Sequence, residues 1–412
     1  MSKVKLSEIG TFKNGLNFSA ERVLSGCKMI GVPDFGDNYL AKLDGLKEVD
    51  EDIVSTDYLL QDNDILFVRS NGNKNLVGRA MLIEKIKEKV TFSGFCIRFR
   101  ITNNNVNPLY MLYLFKSPLF RKLFSNTQQT SISNLNQEIL GNIEVELPTI
   151  GQQNRIVKVI HGITRKIENN KRINDNLQQQ AILLYDYWFT QFDFPDANGK
   201  PYYSSGNKMT WNNQLKKNIP LSWKVKPLKA ICEICLGGTP STTVSKYWNG
   251  SISWLNSGEI AQFPVVSSEK KITQLGLENS PSKLMSKNTT VISITGNIRA
   301  SILALDACAN QSVVGILENE IFKSPFIYQN MLRLLKHYTS ISTGNCQKHI
   351  SKGAIEESLV CIPDNIVLKQ YYSLSEPIYK QMHEIALENQ HLTELRDWLL
   401  PMLMNGQVTI KD

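Results

Sequence analysis

No stretch of the 412-residue sequence approaches the roughly 18 uninterrupted apolar residues that a membrane-crossing helix needs. The opening segment, from Met1 to Gly10, carries no apolar signal-peptide core either. Both absences lead to the expectation of a cytoplasmic protein with no membrane partner. Cysteine is sparse, and seven, an odd number in a long chain, fits free thiols in a reducing compartment.

The loops that hold common cofactors are missing as well. No strand pattern is followed by Gly-x-Gly to cradle S-adenosylmethionine, and no G-x-x-x-x-G-K-[ST] is present to hold a nucleotide. A metal-dependent nuclease would follow Pro-Asp with Glu-x-Lys, and Pro33-Asp34, Pro195-Asp196 and Pro363-Asp364 all lack that triplet. Asn107-Pro108-Leu109-Tyr110 is one residue away from the Asn-Pro-Pro-Tyr loop with which amino-methyltransferases hold a flipped base. Its counterpart later in the chain is Ser324-Pro325-Phe326, so a Pro-initiated helix explains both. Cys232-x-x-Cys235 has a metal-like spacing, but Cys308, Cys346, Cys361 and the five histidines supply no second pair. These two cysteines match Gly10 and Lys13 earlier in the chain and read as a small and a half-exposed helix residue. No catalytic residue, metal site or cofactor is therefore expected in this chain.

What the sequence does contain is periodicity. From Gln152 to Phe189 a seam of Ile156, Ile160, Ile163, Ile167, Asn170, Asn174, Leu177, Ala181, Leu184 and Trp188 keeps a spacing of four and three. This predicts a long helix with a partner. Asn170 and Asn174 place amides on that seam, which costs stability and specifies register. A second seam, Leu374, Ile378, Gln381, Ile385, Glu388, Leu392, Leu395 and Leu399, follows at an offset of 211 (Ile163 to Leu374). The two helices are expected to pack on each other as an antiparallel intramolecular coiled coil. His161 and His383 lie on them, where solvated or capping roles are expected.

The intervening segments repeat too. Residues 1–150 read as one mixed α and β domain: a short helix with Leu6, Ile9 and Phe12, a strand from Asp64 to Val68, a Pro-initiated helix at Asn107-Pro108, and a strand with Ile143, Val145 and Leu147. Residues 191–222, rich in Gly, Pro, Ser and Asn, read as a linker or open loop. From Trp223 the pattern recurs. Leu228, Ile231, Ile234 and Gly237 match Leu6, Ile9, Phe12 and Gly15, and Gly296-Asn297 matches Gly72-Asn73. Val360, Ile362 and Pro363 match Val145, Leu147 and Pro148. The expected order is domain 1–150, helix 151–190, linker 191–222, domain 223–365, helix 366–404 and tail 405–412.

Lysine and arginine total 46 against 38 acidic residues, and the net charge of +8 points weakly to a polyanion. Arg69, Asn71, Asn73, Lys74 and Arg79 crowd one turn after a strand, with Arg98 and Arg100 at alternate positions of a later strand. The second half offers Thr295, Asn297 and Arg299, joined by Thr239, Ser241, Thr243, Lys246, Tyr247 and Trp248. Arg and Asn make paired hydrogen bonds to base edges in the major groove, and Lys reaches phosphates. A solvated polar loop has a similar composition, so these are candidates as groups.

Several of these motifs together resemble one family. Trp223 to Ile260, with Gly237-Gly238-Thr239-Pro240-Ser241, Tyr247-Trp248-x-Gly250 and Ile252-x-Trp254, resembles the start of a target recognition domain in specificity (S) subunits of type I restriction–modification systems. Leu147-Pro148, Gln152-Gln153-x-Arg155-Ile156-Val157 and Tyr187-Trp188-Phe189 carry the same resemblance. The first domain departs from it, with Gly15-Leu16-Asn17 where Gly-Gly-Thr-Pro stands in the second.

The resemblance implies an α+β chain of two recognition domains, each followed by a long helix. It implies a non-catalytic subunit that reads a bipartite target in double-stranded DNA and binds two modification subunits similar to adenine methyltransferases. Two ATP-driven restriction subunits join in the full complex, so S-adenosylmethionine, ATP and Mg belong to partners. A specificity subunit of a methyltransferase-only or type II-like system stays open, as does a coiled-coil adaptor that touches only proteins.

Overall fold

One sheet is built twice in this chain. In the computed structural model, which describes residues 2–17, 26–36, 39–73, 76–118, 120, 135–343 and 348–410, the first copy runs in the order Gly10–Asn14, Cys96–Ile101, Ile65–Val68, Ala80–Leu82. The second runs Ile234–Leu236, Val313–Ile316, Thr290–Ser293, Ala300–Ile302. Every pairing in both is antiparallel. Ile65–Val68 and Thr290–Ser293 are buried along their whole length because their continuous apolar or β-branched runs lie inside the sheet. A three-stranded sheet accompanies each copy: Lys47–Asp50, Gly26–Ile30, Val90–Phe92 in the first and Lys270–Ile272, Trp248–Leu255, Ala307–Ala309 in the second.

The chain forms two units, Met1–Lys166 with Leu392–Asp412, and Ile167–His391. In the first, Leu6, Ile9, Phe67, Phe99, Tyr110 and Tyr113 share a core with Ile156 and Ile160 of the central helix and Leu400, Leu403 and Met404 of the C-terminal helix. Gln153, almost fully buried, ties that helix down: its Oε1 accepts from Asn107 N at 2.8 Å and its Nε2 donates to Pro148 O at 2.9 Å. In the second unit the helix residues Leu177, Ala181, Tyr185 and Trp188 join Tyr371, Tyr379, Met382 and the sheet residues Ile292, Val314 and Ile316.

Four expectations are corrected. The segment Val4–Gly15 is not a single helix: Ser2–Lys5 pairs with Glu144–Leu147, Leu6–Ile9 makes one helical turn, and Gly10–Asn14 enters the sheet. The i, i+3 spacing of Leu6 and Ile9 reports that one turn, and sheet pairing then overrides it. The matching segment behaves alike, with Leu228–Ala230 as a 3₁₀ turn before the strand Ile234–Leu236, so Cys232 and Cys235 are not on a helix. Both are buried, and in different apolar clusters. Burial pushes the Cys232 thiol up to about 12 and raises Cys235 as well, which keeps both protonated at neutral pH.

Residues 191–222 are not an open loop. Met209–Asn212 pairs with Lys217–Pro220, and Phe192, Phe194 and Ile219 are core residues. Phe194 stacks between Tyr202 and Trp223, at 4.7 and 5.0 Å between ring centroids. The polar composition is spent locally: Asp193 accepts from Ser204 and Asp196 from Asn198 and Lys200. Averaging over that composition hides the few aromatics that anchor it.

The register of the C-terminal helix is the third correction. The central helix Ile150–Tyr185, continued by a π turn Asp186–Thr190, buries the expected Ile156, Ile160, Ile167, Asn170, Asn174, Leu177, Ala181 and Trp188. In Asn365–Met404, however, Leu374 and Leu395 are 50% and 43% exposed. The inward row is Leu368, Tyr371, Ser375, Tyr379, Met382, Ile385, Asn389, Leu392, Arg396, Leu400 and Leu403. Each follows an inward residue of the central helix by 215 (Gln153 to Leu368, Trp188 to Leu403), the offset already seen between Pro148 and Pro363. The shared register holds, one helical turn away from the expected 211. The row mixes Tyr, Ser, Asn and Arg with aliphatics, and counting aliphatics alone selects a neighbouring face.

Within the second unit the helices run antiparallel. Asn170 Nδ2 donates to Glu388 Oε2 at 2.6 Å and to Asn389 Oδ1 at 3.0 Å. Asn174 Nδ2 reaches Met382 O at 3.4 Å, and Asn389 Nδ2 reaches Ile167 O, also at 3.4 Å. At the 215 offset Asn389 matches Asn174 and Met382 matches Ile167, so this is one long contact made twice about a local two-fold. His383, expected in a solvated or capping role, is 7% exposed, and burial followed by the nearby Lys287 charge pushes its pKa down to about 4.

The two sheets close where a glycine meets backbone. A Cβ on Gly15 would stand 2.1 Å from Ser93 O, and one on Gly237 would stand 2.2 Å from Asn310 O. Gly15→Ala and Gly237→Ala are each expected to lower stability by about 1–3 kcal/mol. Gly162→Ala, in open space on the central helix, is expected to raise it by roughly 0.5–1 kcal/mol. Urea unfolding of the three variants checks both signs.

Candidate nucleic-acid interface

The close approach of Gly15 and Gly237 defines one end of each sheet. In the first unit Gly15 N donates to Cys96 O at 3.1 Å, Arg69 N to Phe95 O at 2.7 Å, and Val68 N to Arg79 O at 2.9 Å. Residues 15–17, 69–73, 76–79 and 93–95 therefore emerge at the same edge. In the second unit Gly237 N donates to Val313 O, Ile294 N to Ser312 O, and Ser293 N to Arg299 O, at 2.8 to 2.9 Å. The bonds correspond one to one. Arg79 thus matches Arg299, and Phe95 matches Ser312. Val68 matches Ser293, and the turn that follows runs eleven residues to Arg79 in the first unit and six to Arg299 in the second, so it carries the expected Gly-Asn in both but at different lengths.

At the first edge Asn71 Oδ1 accepts from Asn73 N at 2.7 Å, an Asx turn that fixes the tip. Arg69 is half-buried, with Nη1 3.4 Å from Gly94 O and Nε buried without a hydrogen-bond partner among the described residues. Arg79 is half-buried and Asn73 exposed. Lys74 lies outside the described residues.

Arg98 and Arg100 share a face, as alternate positions on a strand must, but that face is turned to the interior. Arg98, 7% exposed, donates to Asp57 O at 2.8 Å. Arg100 grips Asp64 with Nε and Nη2, both at 2.7 Å. Hydrogen bonding to the buried Asp64 carboxylate raises the Arg100 pKa, whereas burial lowers that of Arg98. The two guanidiniums hold the segment Asp57–Asp64 against the sheet, which corrects their expected place among DNA-reading groups.

At the second edge Ser293 Oγ accepts from Arg299 N at 2.9 Å and donates to Asn297 O at 2.7 Å, so the turn is held from beneath. Asn297 and Arg299 are exposed on it. Thr295 Oγ1 lies 3.2 Å from His349 Nδ1, and Gly296 N donates to Lys348 O at 2.8 Å. Thr239 Oγ1 donates to Gln311 Oε1 at 2.6 Å. Ser241 and Thr243 hydroxyls lie 2.8 Å apart, Trp248 Nε1 donates to Ser241 O, Lys246 is exposed and Tyr247 half-buried.

The edges also hold residues that were not expected there: Phe95 in the first, and Gln311, Lys348 and His349 in the second. Strand pairing brings them in from distant segments. The one available signal was the turn between a strand and the next, Ser93-Gly94-Phe95 and Asn310-Gln311-Ser312, which aligns once Gly15 and Gly237 are superposed. Each edge thus presents amide, hydroxyl and guanidinium groups on backbone pinned by main-chain hydrogen bonds. That chemistry recognises hydrogen-bonding edges and anions.

Comparison with known proteins gives this arrangement its context. Residues 1–179 and 220–371 match the type I restriction modification DNA specificity domain. The chain is 25% identical over 330 residues to the type I restriction enzyme MjaIX specificity subunit of Methanocaldococcus jannaschii, covering 78% of this chain and 73% of that one. It is 18% identical over 369 residues to the HindI specificity subunit of Haemophilus influenzae, covering 76% and 80%. In fold it is similar to the crystal structure of a type I restriction–modification S subunit from M. genitalium, with a TM-score of 0.59, 14% identity and coverage of 98% and 96%. The duplicated α+β domains, the paired long helices and these matches place the chain in the family of type I restriction–modification DNA specificity subunits.

Proposed function

We propose that each sheet edge reads one half of a bipartite duplex target and that the paired helices dock two modification subunits. The observation that carries this reading is the double construction of one edge. Main-chain bonds are kept between copies, and Arg79 and Arg299 stand at the same place in both, while the neighbouring side chains differ, with Ser70 against Thr295 and Phe95 against Ser312. A scaffold that keeps its backbone and varies its tips suits two different half-sites. The chain itself carries out no chemistry in this reading. Methyl transfer and its S-adenosylmethionine belong to the modification subunits, and ATP and Mg to restriction subunits where the complex includes them.

Arg79→Ala and Arg299→Ala should separate the halves. Each is expected to cost about 1–3 kcal/mol at one half-site, leaving preference at the other nearly intact. Mapping methylated sites for each variant complex checks this; joint loss at both half-sites would contradict the assignment.

Seven residues inserted after Lys171 and after its counterpart Ala386 preserve the inward rows and lengthen each helix by roughly 10 Å, about three base pairs. The unread gap between the half-sites is expected to grow by that amount, as read by the same mapping.

A chain ending at Asn198 keeps one domain and one helix. Since Asn389 and Met382 stand where Asn174 and Ile167 stand, a second copy offers Asn174 the Ile167 carbonyl in place of Met382. Asn170 would lose Glu388, whose position is taken by Ile173. The expected product is a weaker two-fold dimer that, with modification subunits, methylates an inverted repeat of the first half-site. Light scattering and methylation mapping decide it.

A further inference from the structure

We propose that Phe95 is a specificity-determining residue of the first recognition domain, packing its ring against the 5-methyl group of a thymine in the major groove. This rests on the reading of the sheet edge given above. Phe95 is 61% exposed, the highest exposure among the phenylalanines of the described residues. The core does not call for it: Phe92, Cys96 and Phe99 on the same segment are buried, and Phe95 lies at the turn tip between them.

Its position is rigid. Arg69 N donates to Phe95 O at 2.7 Å, Cys96 N to Ser93 O at 2.9 Å and Gly94 N to Leu16 O at 2.6 Å, so both flanks of the residue are fixed. The duplication supplies the control that a single domain lacks. Ser312 occupies the same place in the second unit, its carbonyl accepting from Ile294 N at 2.8 Å. The turn therefore forms with a small polar residue, and folding does not explain an aromatic one. Arg69 stands next to it, and Asn71 and Arg79 lie at the same edge of the sheet, groups that draw a duplex and read its polar edges. A ring held in water among them gains by covering an apolar group, and the thymine methyl is the one the major groove offers.

The test uses the full chain with its modification subunits and the methylation-mapped target. Each thymine of the first half-site is replaced singly by deoxyuridine, which removes only the methyl group. In the wild-type complex one such replacement is expected to weaken binding about three- to tenfold, the scale of one methyl group returned to water. Phe95→Ser should bind the parent duplex with that loss already present and be indifferent to the replacement, while Phe95→Leu keeps part of the sensitivity. Thymines of the second half-site should respond alike in all three proteins, which also reports that the variants are folded.

A specific wild-type complex that tolerates deoxyuridine at every first-half thymine, or a first half-site without thymine, overturns the proposal and leaves the bipartite reading standing. Weakened binding by Phe95→Ser with the deoxyuridine effect unchanged also overturns it, and points to insertion between base steps instead. A wild-type complex without preference for any duplex overturns the bipartite reading itself.

Discussion

Neither unit completes its core without both long helices. The central helix lends Ile156 and Ile160 to the first unit and Leu177, Ala181 and Trp188 to the second, and the C-terminal helix lends Tyr371, Tyr379 and Met382 to the second and Leu400 and Leu403 to the first. Burial of these inward rows is the constraint on which everything else depends, because a helix that is polar on its outer face gains its stability from such packing. Along the seam, Asn170 and Asn174 replace apolar side chains with amides that find Glu388, Asn389 and a carbonyl. A slip of one turn would leave those amides buried and unpaired, at a cost of about 1–3 kcal/mol for each group.

The two sheet edges follow a different economy. Their backbone is held by main-chain hydrogen bonds, by a glycine pressed against a carbonyl, and by the short side chains of Asn71 and Ser293. Arg98 and Arg100 show the contrast. Although they are the residue type most suited to phosphates and guanine, they are spent inside on Asp57 O and Asp64. Arginine identity alone does not separate a structural guanidinium from a reading one; the partner does.

Aromatic packing joins the helix to the rest of the second unit. Tyr185, Trp188, Phe189, Tyr371 and Trp223 meet at centroid distances of 4.8 to 6.3 Å, and the Arg333 guanidinium lies 4.0 Å from the Tyr185 ring centre while bonding Asp186. Tyr185, Trp188 and Phe189 at the close of the central helix are thus where the 191–222 segment, Trp223 and the C-terminal helix are fastened together.

Much of this was legible in the residue order. Heptad spacing from Ile156 to Trp188, the recurrence of Gly15 as Gly237 and of Pro148 as Pro363, and the proline-initiated helices at Asn107-Pro108 and Ser324-Pro325 depend on local periodicity and backbone preference, which neighbours in sequence express. The offset of 215 along the C-terminal helix was not, because its inward row mixes Tyr, Ser and Arg with aliphatics and only the packed partner shows which face is turned in. Nor could spacing reveal that Arg98 faces Asp57, that Phe194 stacks between Tyr202 and Trp223, or that Phe95 and Gln311 stand at the two candidate edges. Those placements come from strand pairing between distant segments, so local pattern decided the long helices and the buried row of the central one, while tertiary pairing decided the strands at Gly10–Asn14 and Met209–Asn212 and which polar side chains face water.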